Sequence, residues 1–393
     1  MTQNDRQRSR ATVRRGRCCA AVCLAIALAA CGGGGGGGGG GGSNLGATAL
    51  PVRLVYASTY QSGSSSTAGG GIVAFRFDPN SGRLSVVSST PFGAETAGAP
   101  IAISRDGKFL YSIDFATNQN ALAAFAIQTD GFLVSVPAAP FDAGEPIAAL
   151  ATNPAADFLY AIAMSGDLKV YSIDAATGAL TPRSTVSAPA AGGNALITPG
   201  GRFLYDTTTN GIYEFSIDAA TGALTQLAGS PVAYHVVPGP GVIHPSGKFL
   251  YITNADPSVT SNAQLSAWSI DSQTGELGAI SLSPSAVTAG PQQSVTIDGS
   301  GQFAMVTTAA SAGVSAGCFY ELGIDASTGA LAPVPGVGSA IECGPIAADA
   351  SYNFLYDGSS GVAVYLLSQQ GVPQLVTAGV LFGLRVTNIA AVR

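Results

Sequence analysis

From Leu50 onward, apolar and polar residues alternate in short runs that are separated by glycine-containing turns. A period of two buries one face of each run, so the pattern predicts many short β-strands rather than helices. The runs themselves repeat. A small apolar stretch, a polar residue, a turn with Gly and a basic-aromatic strand start occur together from Ile101 to Tyr111, Ile-Ala-Ile-Ser-Arg-Asp-Gly-Lys-Phe-Leu-Tyr. The strand start returns at Phe158-Leu159-Tyr160, Phe203-Leu204-Tyr205, Phe249-Leu250-Tyr251, Phe303-Ala304-Met305 and Phe354-Leu355-Tyr356, with Leu54-Val55-Tyr56 as a partial copy. A second pattern, strand, acidic turn, strand, runs from Val170 to Leu180 and has near copies at 75–84, 215–224, 268–277 and 322–331, with degenerate ones at 125–133 and 365–375.

In the Asp-x-x-Thr/Ser-Gly turns the Asp carboxylate can accept backbone N–H bonds while Gly takes the positive-φ position. Asp78, Asp174, Asp218, Asp271 and Asp325 are therefore expected to be turn residues rather than ligands or acids. Each unit supplies four strands, A to D, and seven units spaced about 50 residues apart account for residues 51–393. The expected fold is all-β, a seven-bladed β-propeller. The C-terminal run Val386 to Val392 reads as a strand A without a strand B, and the first copy, Leu54-Val55-Tyr56, begins at strand B. The N- and C-terminal strands are thus expected to close one shared blade.

Composition supports a folded chain, since 47% of residues are hydrophobic and 10% charged. Six of the 17 basic residues but only Asp5 of the 23 acids precede residue 31, which leaves the rest of the chain at −11. That balance excludes nucleic acid as a partner, because phosphate binding runs on Lys and Arg.

The basic head is followed by an apolar run from Cys18 to Ala30, too short to span a membrane, which is the layout of a secretory signal. Leu28-Ala29-Ala30-Cys31 resembles the lipobox of a bacterial lipoprotein. The resemblance implies a cleaved signal over 1–30, lipid on Cys31, attachment to a membrane through it and, with Gly32 rather than Asp next, sorting to the outer membrane. The glycine run 32–42 reads as part of a flexible tether over 31–50, with a span of about 25 Å. Cys318 and Cys343 remain in the exported chain and are expected to form one disulfide, a reactive thiol being the lesser alternative. No cofactor or metal site is expected.

The Gly-Lys-Phe-Leu-Tyr-Ile-Thr-Asn run from Gly247 to Asn254 and the Ser-Ile-Asp-x-x-Thr-Gly-x-Leu turns resemble the lactonase-type seven-bladed propellers, which include 6-phosphogluconolactonases and a muconate-lactonising relative. The resemblance covers residues 51–393. It implies a mouth on the face that carries the D-to-A and B-to-C connections, where Glu95, Asp114, Asp142, Glu145, His235, Asp256 and Glu342 fall, with Arg385 nearly the only base. An acidic mouth disfavours phosphorylated substrates and suits neutral small molecules, proteins or cations. The family's Gly-Pro-Arg-His motif and Asn-Glu pair correspond here to Gly239-Pro240-Gly241-Val242 and Asn254-Ala255, so Gly241, Val242 and Ala255 stand where Arg, His and Glu would. His244 is expected to cap a turn. Two readings follow: a lipid-anchored, monomeric envelope propeller that binds a protein or neutral small molecule on its loop face without catalysis, or a lactone-ring hydrolase or isomerase using His235 and Glu342.

Overall fold

The computed structural model describes residues 51–393 apart from 62–69, 89–91, 94–95, 97, 116–119, 189–192, 235–236, 256–262, 282–286, 289–291, 309–318, 335–343, 350–353, 359–360, 370–371, 381–383 and 393. Every blade is an antiparallel four-stranded sheet ordered A-B-C-D. Blade 2 has A Ile101–Ile103, B Phe109–Asp114, C Ala121–Ile127 and D Leu133–Ser135, with Phe141–Asp142 also paired to C. Blade 3 has Ile147–Thr152, Phe158–Ala163, Asp167–Ile173 and Leu180–Ser187; blade 4 has Asn194–Ile197, Phe203–Thr208, Gly211–Ile217 and Leu224–Gln226. Blade 5 has Pro238–Ile243, Phe249–Asn254, Ser266–Ile270 and Leu277–Ile280; blade 6 has Gln292–Ile297, Phe303–Thr308, Phe319–Ile324 and Leu331–Pro333. Blade 7 has Ile346–Asp349, Phe354–Asp357, Val362–Leu367 and Pro373–Val380. A two-stranded ribbon, Ala263–Gln264 with Val287–Thr288, stands outside the blades.

Blade 1 is shared by the two ends of the chain, as the sequence predicts. Strand A is Leu384–Ala391, and it pairs with strand B, Arg53–Gln61, which continues into C, Gly71–Asp78, and D, Arg83–Val86. Closure packs blade 7 against blade 1 and buries the apolar faces that the end blades of an open array would expose. Where blade 7 meets blade 1, Arg53 forms an ion pair with Asp349, Nε to Oδ2 at 3.2 Å, and the Thr377 hydroxyl donates to the carbonyl of Gly82.

The hydrophobic core is divided into seven clusters, one in each seam between neighbouring blades. This explains why Phe-Leu-Tyr and Thr-Gly recur together. The Tyr of one blade's strand B donates its hydroxyl to the carbonyl of the turn Gly in the next blade: Tyr56 to Gly131 at 3.1 Å, Tyr111 to Gly178 at 3.0 Å, Tyr160 to Gly222 at 3.1 Å, Tyr205 to Gly275 at 2.7 Å and Tyr251 to Gly329 at 2.8 Å. At Gly178, Gly222, Gly275 and Gly329 the Phe two residues before that Tyr lies against the bare Cα face of the glycine. The two repeats are halves of one hook, and the intervening Leu packs into the seam on the other side of its blade. The turn aspartates behave as the sequence predicts: Asp174 Oδ1 accepts from the N–H groups of Ala176 and Thr177, and Asp218, Asp271 and Asp325 repeat the arrangement. These bonds to the charged form hold the four carboxyls below the usual range, Asp325 at about 2.

The seam between blades 6 and 7 departs from this pattern. Met305 replaces the hooking Tyr. In the seam between blades 4 and 5 a buried glutamate on strand C, Glu214, accepts the N–H of Leu277 at 2.8 Å. Glu321 holds the same place in blade 6, but the residue in the position of Leu277 is Pro373, opposite Leu367 as Leu277 is opposite Ile270, and proline has no N–H to give. Both Glu321 carboxyl oxygens are buried without a hydrogen-bond partner among the described residues, and burial, with the charge of Asp298, pushes the group up to about 7.

Candidate functional site

Within each blade the strands run alternately between two faces, so the D-to-A and B-to-C connections share the mouth face and the A-to-B and C-to-D turns share the other. Of the residues the sequence assigns to the mouth, Asp114, Asp142, Glu145 and Arg385 are described. Glu95, His235, Asp256 and Glu342 lie outside the described residues, as do Cys31, Cys318 and Cys343.

Asp114 ends strand B of blade 2 and is buried; it stands opposite Ala121, which on its other side pairs with Asp142, so backbone register brings the two aspartates to one end of the blade. Asp142 Oδ1 accepts the N–H of Gly144 at 2.8 Å and opens the turn into blade 3. Three residues on, Glu145 pairs with Lys169 Nζ at 2.8 Å and accepts the Ser165 hydroxyl at 2.5 Å, contacts that hold its carboxyl below the ordinary value. Arg385 is in strand A of blade 1, opposite Tyr60.

Lys169 is the base that the sequence reading of the mouth leaves out. It lies near the start of strand C in blade 3, which is the mouth end of that strand, and its position in the Asp-Leu-Lys-Val alternation is the signal that could have found it. With Asp142 and Arg183 it lines a shallow groove of about 350 Å³, while Arg183 Nε donates to Ser172 Oγ at 2.9 Å. Acidic charge on this sector is therefore partly offset.

Deeper in the ring, Asn194 at the start of strand A in blade 4 donates to the Gly239 carbonyl of blade 5 at 2.8 Å and to Thr207 Oγ1 at 3.3 Å. Beside it Asp206 is fully buried. One of its oxygens accepts Gly193 N–H at 3.3 Å, the other has no partner among the described residues, and burial pushes the carboxyl up to about 7. Asp206, Glu214 and Glu321 were not legible as special, because nothing in an alternating strand marks which inward position holds an acid in place of the usual small or aliphatic residue.

Strand A of blade 5, Pro238–Ile243, carries the segment compared with the Arg-His motif. Pro238 is opposite Asn254 at the mouth end, Gly241 opposite Ile252 and Val242 opposite Tyr251 further down, so Gly241 and Val242 line the central channel towards the A-to-B turns. A Cβ at Gly241 would come 2.7 Å from Leu196 Cδ1 and 3.2 Å from the Tyr251 carbonyl oxygen, closer than side chains pack. Ala255 follows strand B and donates its N–H to Val237 O at 2.9 Å. From Pro238 to Ile243 the strand holds only Pro, Gly, Val and Ile, none of which can donate, accept or move a proton through its side chain.

The next residue, His244, is the turn cap expected of it and also a tie between blades. Its Nδ1 accepts the Ser246 N–H at 3.0 Å, and its Nε2 lies 2.8 Å from the carbonyl oxygen of Gly301 in blade 6. Among the described residues no group of three or more His, Cys, Asp and Glu side chains is arranged to hold a metal ion.

Comparison with known proteins agrees with this architecture. No curated protein sequence matches the chain. Among solved structures, a Bacteroides fragilis protein provisionally named a 6-phosphogluconolactonase superimposes with a TM-score of 0.67 at 19% identity, over 87% of this chain and 98% of the other. A Lactobacillus plantarum protein gives 0.66 at 18% identity over 87% and 100%. The periplasmic gluconolactonase PpgL of Pseudomonas aeruginosa gives 0.62 at 14% identity over 87% and 99%. The family model described as "Lactonase, 7-bladed beta-propeller" matches residues 54–195 and 202–318, the greater part of the ring, and the chain belongs to that family.

Proposed function

We propose that this lactonase-family propeller is a ligand-binding module of the cell envelope, held to a membrane through lipid on Cys31, and that it does not hydrolyse lactones with the residues its relatives would use. The observation that carries the reading is strand A of blade 5, whose six residues offer no acid, base or cation where the family motif is expected. The export signal and the −11 charge of the chain beyond it support a mouth that takes neutral ligands or proteins rather than phosphorylated sugars, whose dianions call for several Arg or Lys. Lys169 tempers that charge only locally, because Glu145 engages it.

Lactone hydrolysis is the second reading, favoured by family membership itself and by the names given to the Bacteroides and Pseudomonas proteins. It would need a relocated base such as His235 working with Glu342. One fold hosts many activities, so membership alone does not choose between the two.

Charge preference at the mouth can be measured by calorimetric titration of the purified protein with neutral mono- and disaccharides, a short peptide panel and 6-phosphogluconate. Saturable binding of a neutral compound with none of the phosphorylated one is expected. Preferential binding of 6-phosphogluconate would overturn the reading.

A further inference from the structure

Five of the seven seams are closed by the tyrosine hook, and the seam between blades 7 and 1 has the Arg53–Asp349 pair and the Thr377 bond instead. Between blades 6 and 7, Met305 stands in the hooking position and has no hydroxyl to donate. Ties described in this seam lie near the axis: the Thr307 hydroxyl donates to the Gly344 carbonyl at 2.6 Å, and Ser294 Oγ and Thr296 Oγ1 accept the N–H groups of Ile346 and Ala348, each at 3.2 Å. Further out the seam is apolar, with Met305 and Phe319 of blade 6 packed against Leu355, Ala363, Tyr365 and Leu367 of blade 7.

Into this packing the chain puts a carboxyl group. Glu321 stands opposite Met305, on the same face of its strand as Phe319, and is 4% exposed. Its counterpart Glu214 has two supports that Glu321 lacks, the bond from Tyr205 to Gly275 beside it and the N–H of Leu277. The titratable groups that share the seam bring no cation among the described residues. Asp298, at the end of strand A in blade 6, accepts from Ser300 and Phe303; Asp357 lies on the Leu355 face of strand B in blade 7, and Tyr365 is on strand C. Arg53 is taken by Asp349 in the next seam. A carboxylate without a donor in apolar surroundings is destabilised far more than the neutral acid, so it is relieved either by keeping its proton or by admitting water. With bonds at the axis and no hook beyond them, the outer half of this seam is where water enters at least cost.

We infer that the outer half of the seam between blades 6 and 7 is a proton-operated joint, shut while Glu321 is protonated and opened to water when Glu321 ionises, with the ring still closed at its axis. The joint is independent of whatever the mouth binds. Two methionines serve as probes. Met305 is buried in the joint and Met164 is 49% exposed, so the rate at which dilute hydrogen peroxide oxidises Met305 relative to Met164 in the purified protein, read by peptide mass spectrometry, follows opening and cancels changes in the reagent. The closed form holds the proton with a pKa of about 7 and the open form with the ordinary value of 4.5, so closure is favoured most in acid. The ratio should climb about tenfold per pH unit from about pH 5 to pH 7 and level off above. Trp268, the one tryptophan of the chain, is buried in the seam between blades 4 and 5, and its emission should stay native throughout. Glu321→Gln cannot ionise and should hold the ratio at its acid value. Pro373→Leu gives Glu321 the N–H that Glu214 receives and should shrink the rise; either variant decides the matter should the other not fold. A wild-type ratio that stays level from about pH 5 to pH 8, a rise that persists unchanged in either variant, or a rise accompanied by exposure of Trp268 would each overturn the proposal.

Discussion

Gly222→Ala is expected to destabilise the protein by about 2–5 kcal/mol, out of proportion to the addition of one methyl group. Two penalties act at once. Gly222 has φ of +72°, where an L-residue is strained by about 1–2 kcal/mol, and the new Cβ would lie 2.5 Å from Phe158 Cδ1. Neither partner has room to retreat: the backbone of the turn is fixed by Asp218, and the Gly222 carbonyl accepts the Tyr160 hydroxyl at 3.1 Å. Relief would therefore cost the hook between blades 3 and 4 as well as local packing. Gly200→Ala is the control, because no heavy atom lies within 4 Å of its Cβ position and its φ is not in the left-handed region. Urea unfolding of the two variants beside wild type measures the difference. Equal stabilities would mean that the turn glycines are not where the blades are joined.

The second large effect is a pH dependence. Asp206 is fully buried, and burial alone raises its carboxyl from the usual 3.8 to about 7, against a single long bond from Gly193. A folded pKa above the unfolded one means that the native state binds the proton more tightly. The stability this group contributes is whole below about pH 4, is lost between about pH 4 and pH 7, and stays lost above. Asp206→Asn cannot ionise. Relative to wild type its stability should climb through that window by about 4 kcal/mol and level off near pH 8. The turn aspartates work in the opposite sense: Asp174, Asp218, Asp271 and Asp325 have depressed folded pKa values, so their contribution is present above the ordinary carboxylate range and disappears in acid. They are common to both proteins, so the difference between the two stability curves isolates Asp206. A flat difference from pH 4 to pH 9 would show that the carboxylate is solvated or paired in the folded protein.

Much of the ring was legible in the chain because a propeller writes its geometry as repetition. Seven strand starts, seven strand–turn–strand repeats and a strand A stranded at the C-terminus led to seven blades and a shared one, and the pairing of Leu384–Ala391 with Arg53–Gln61 is that arrangement. What the repeats could not reveal is that Phe-Leu-Tyr and Thr-Gly touch each other across seams rather than within a blade; the partners are 62 to 78 residues apart, and sequence spacing carries no sign of it. The exceptions were equally silent. Met305 and Pro373 look like ordinary variation until Glu321, opposite Met305, is seen to have no donor among the described residues. The candidate site was less legible than the fold. Polar residues could be sorted to a face by their place in the repeat, which set Asp114, Asp142 and Glu145 at the mouth. Whether a loop acid is free or paired depends on which strand folds back beside it, and Lys169 could be assigned to Glu145 only in three dimensions.

The central functional claim is that strand A of blade 5, with Gly241 and Val242 facing the channel and Ala255 beyond the next strand, has no means of opening a lactone. Initial-rate hydrolysis of glucono-1,5-lactone and its 6-phosphate by purified protein, followed in a pH-stat against buffer alone, tests it most directly. The account predicts rates equal to the spontaneous reaction for both compounds at every protein concentration. Saturable turnover proportional to protein would contradict it, and turnover lost in His235→Ala would assign the base to that residue.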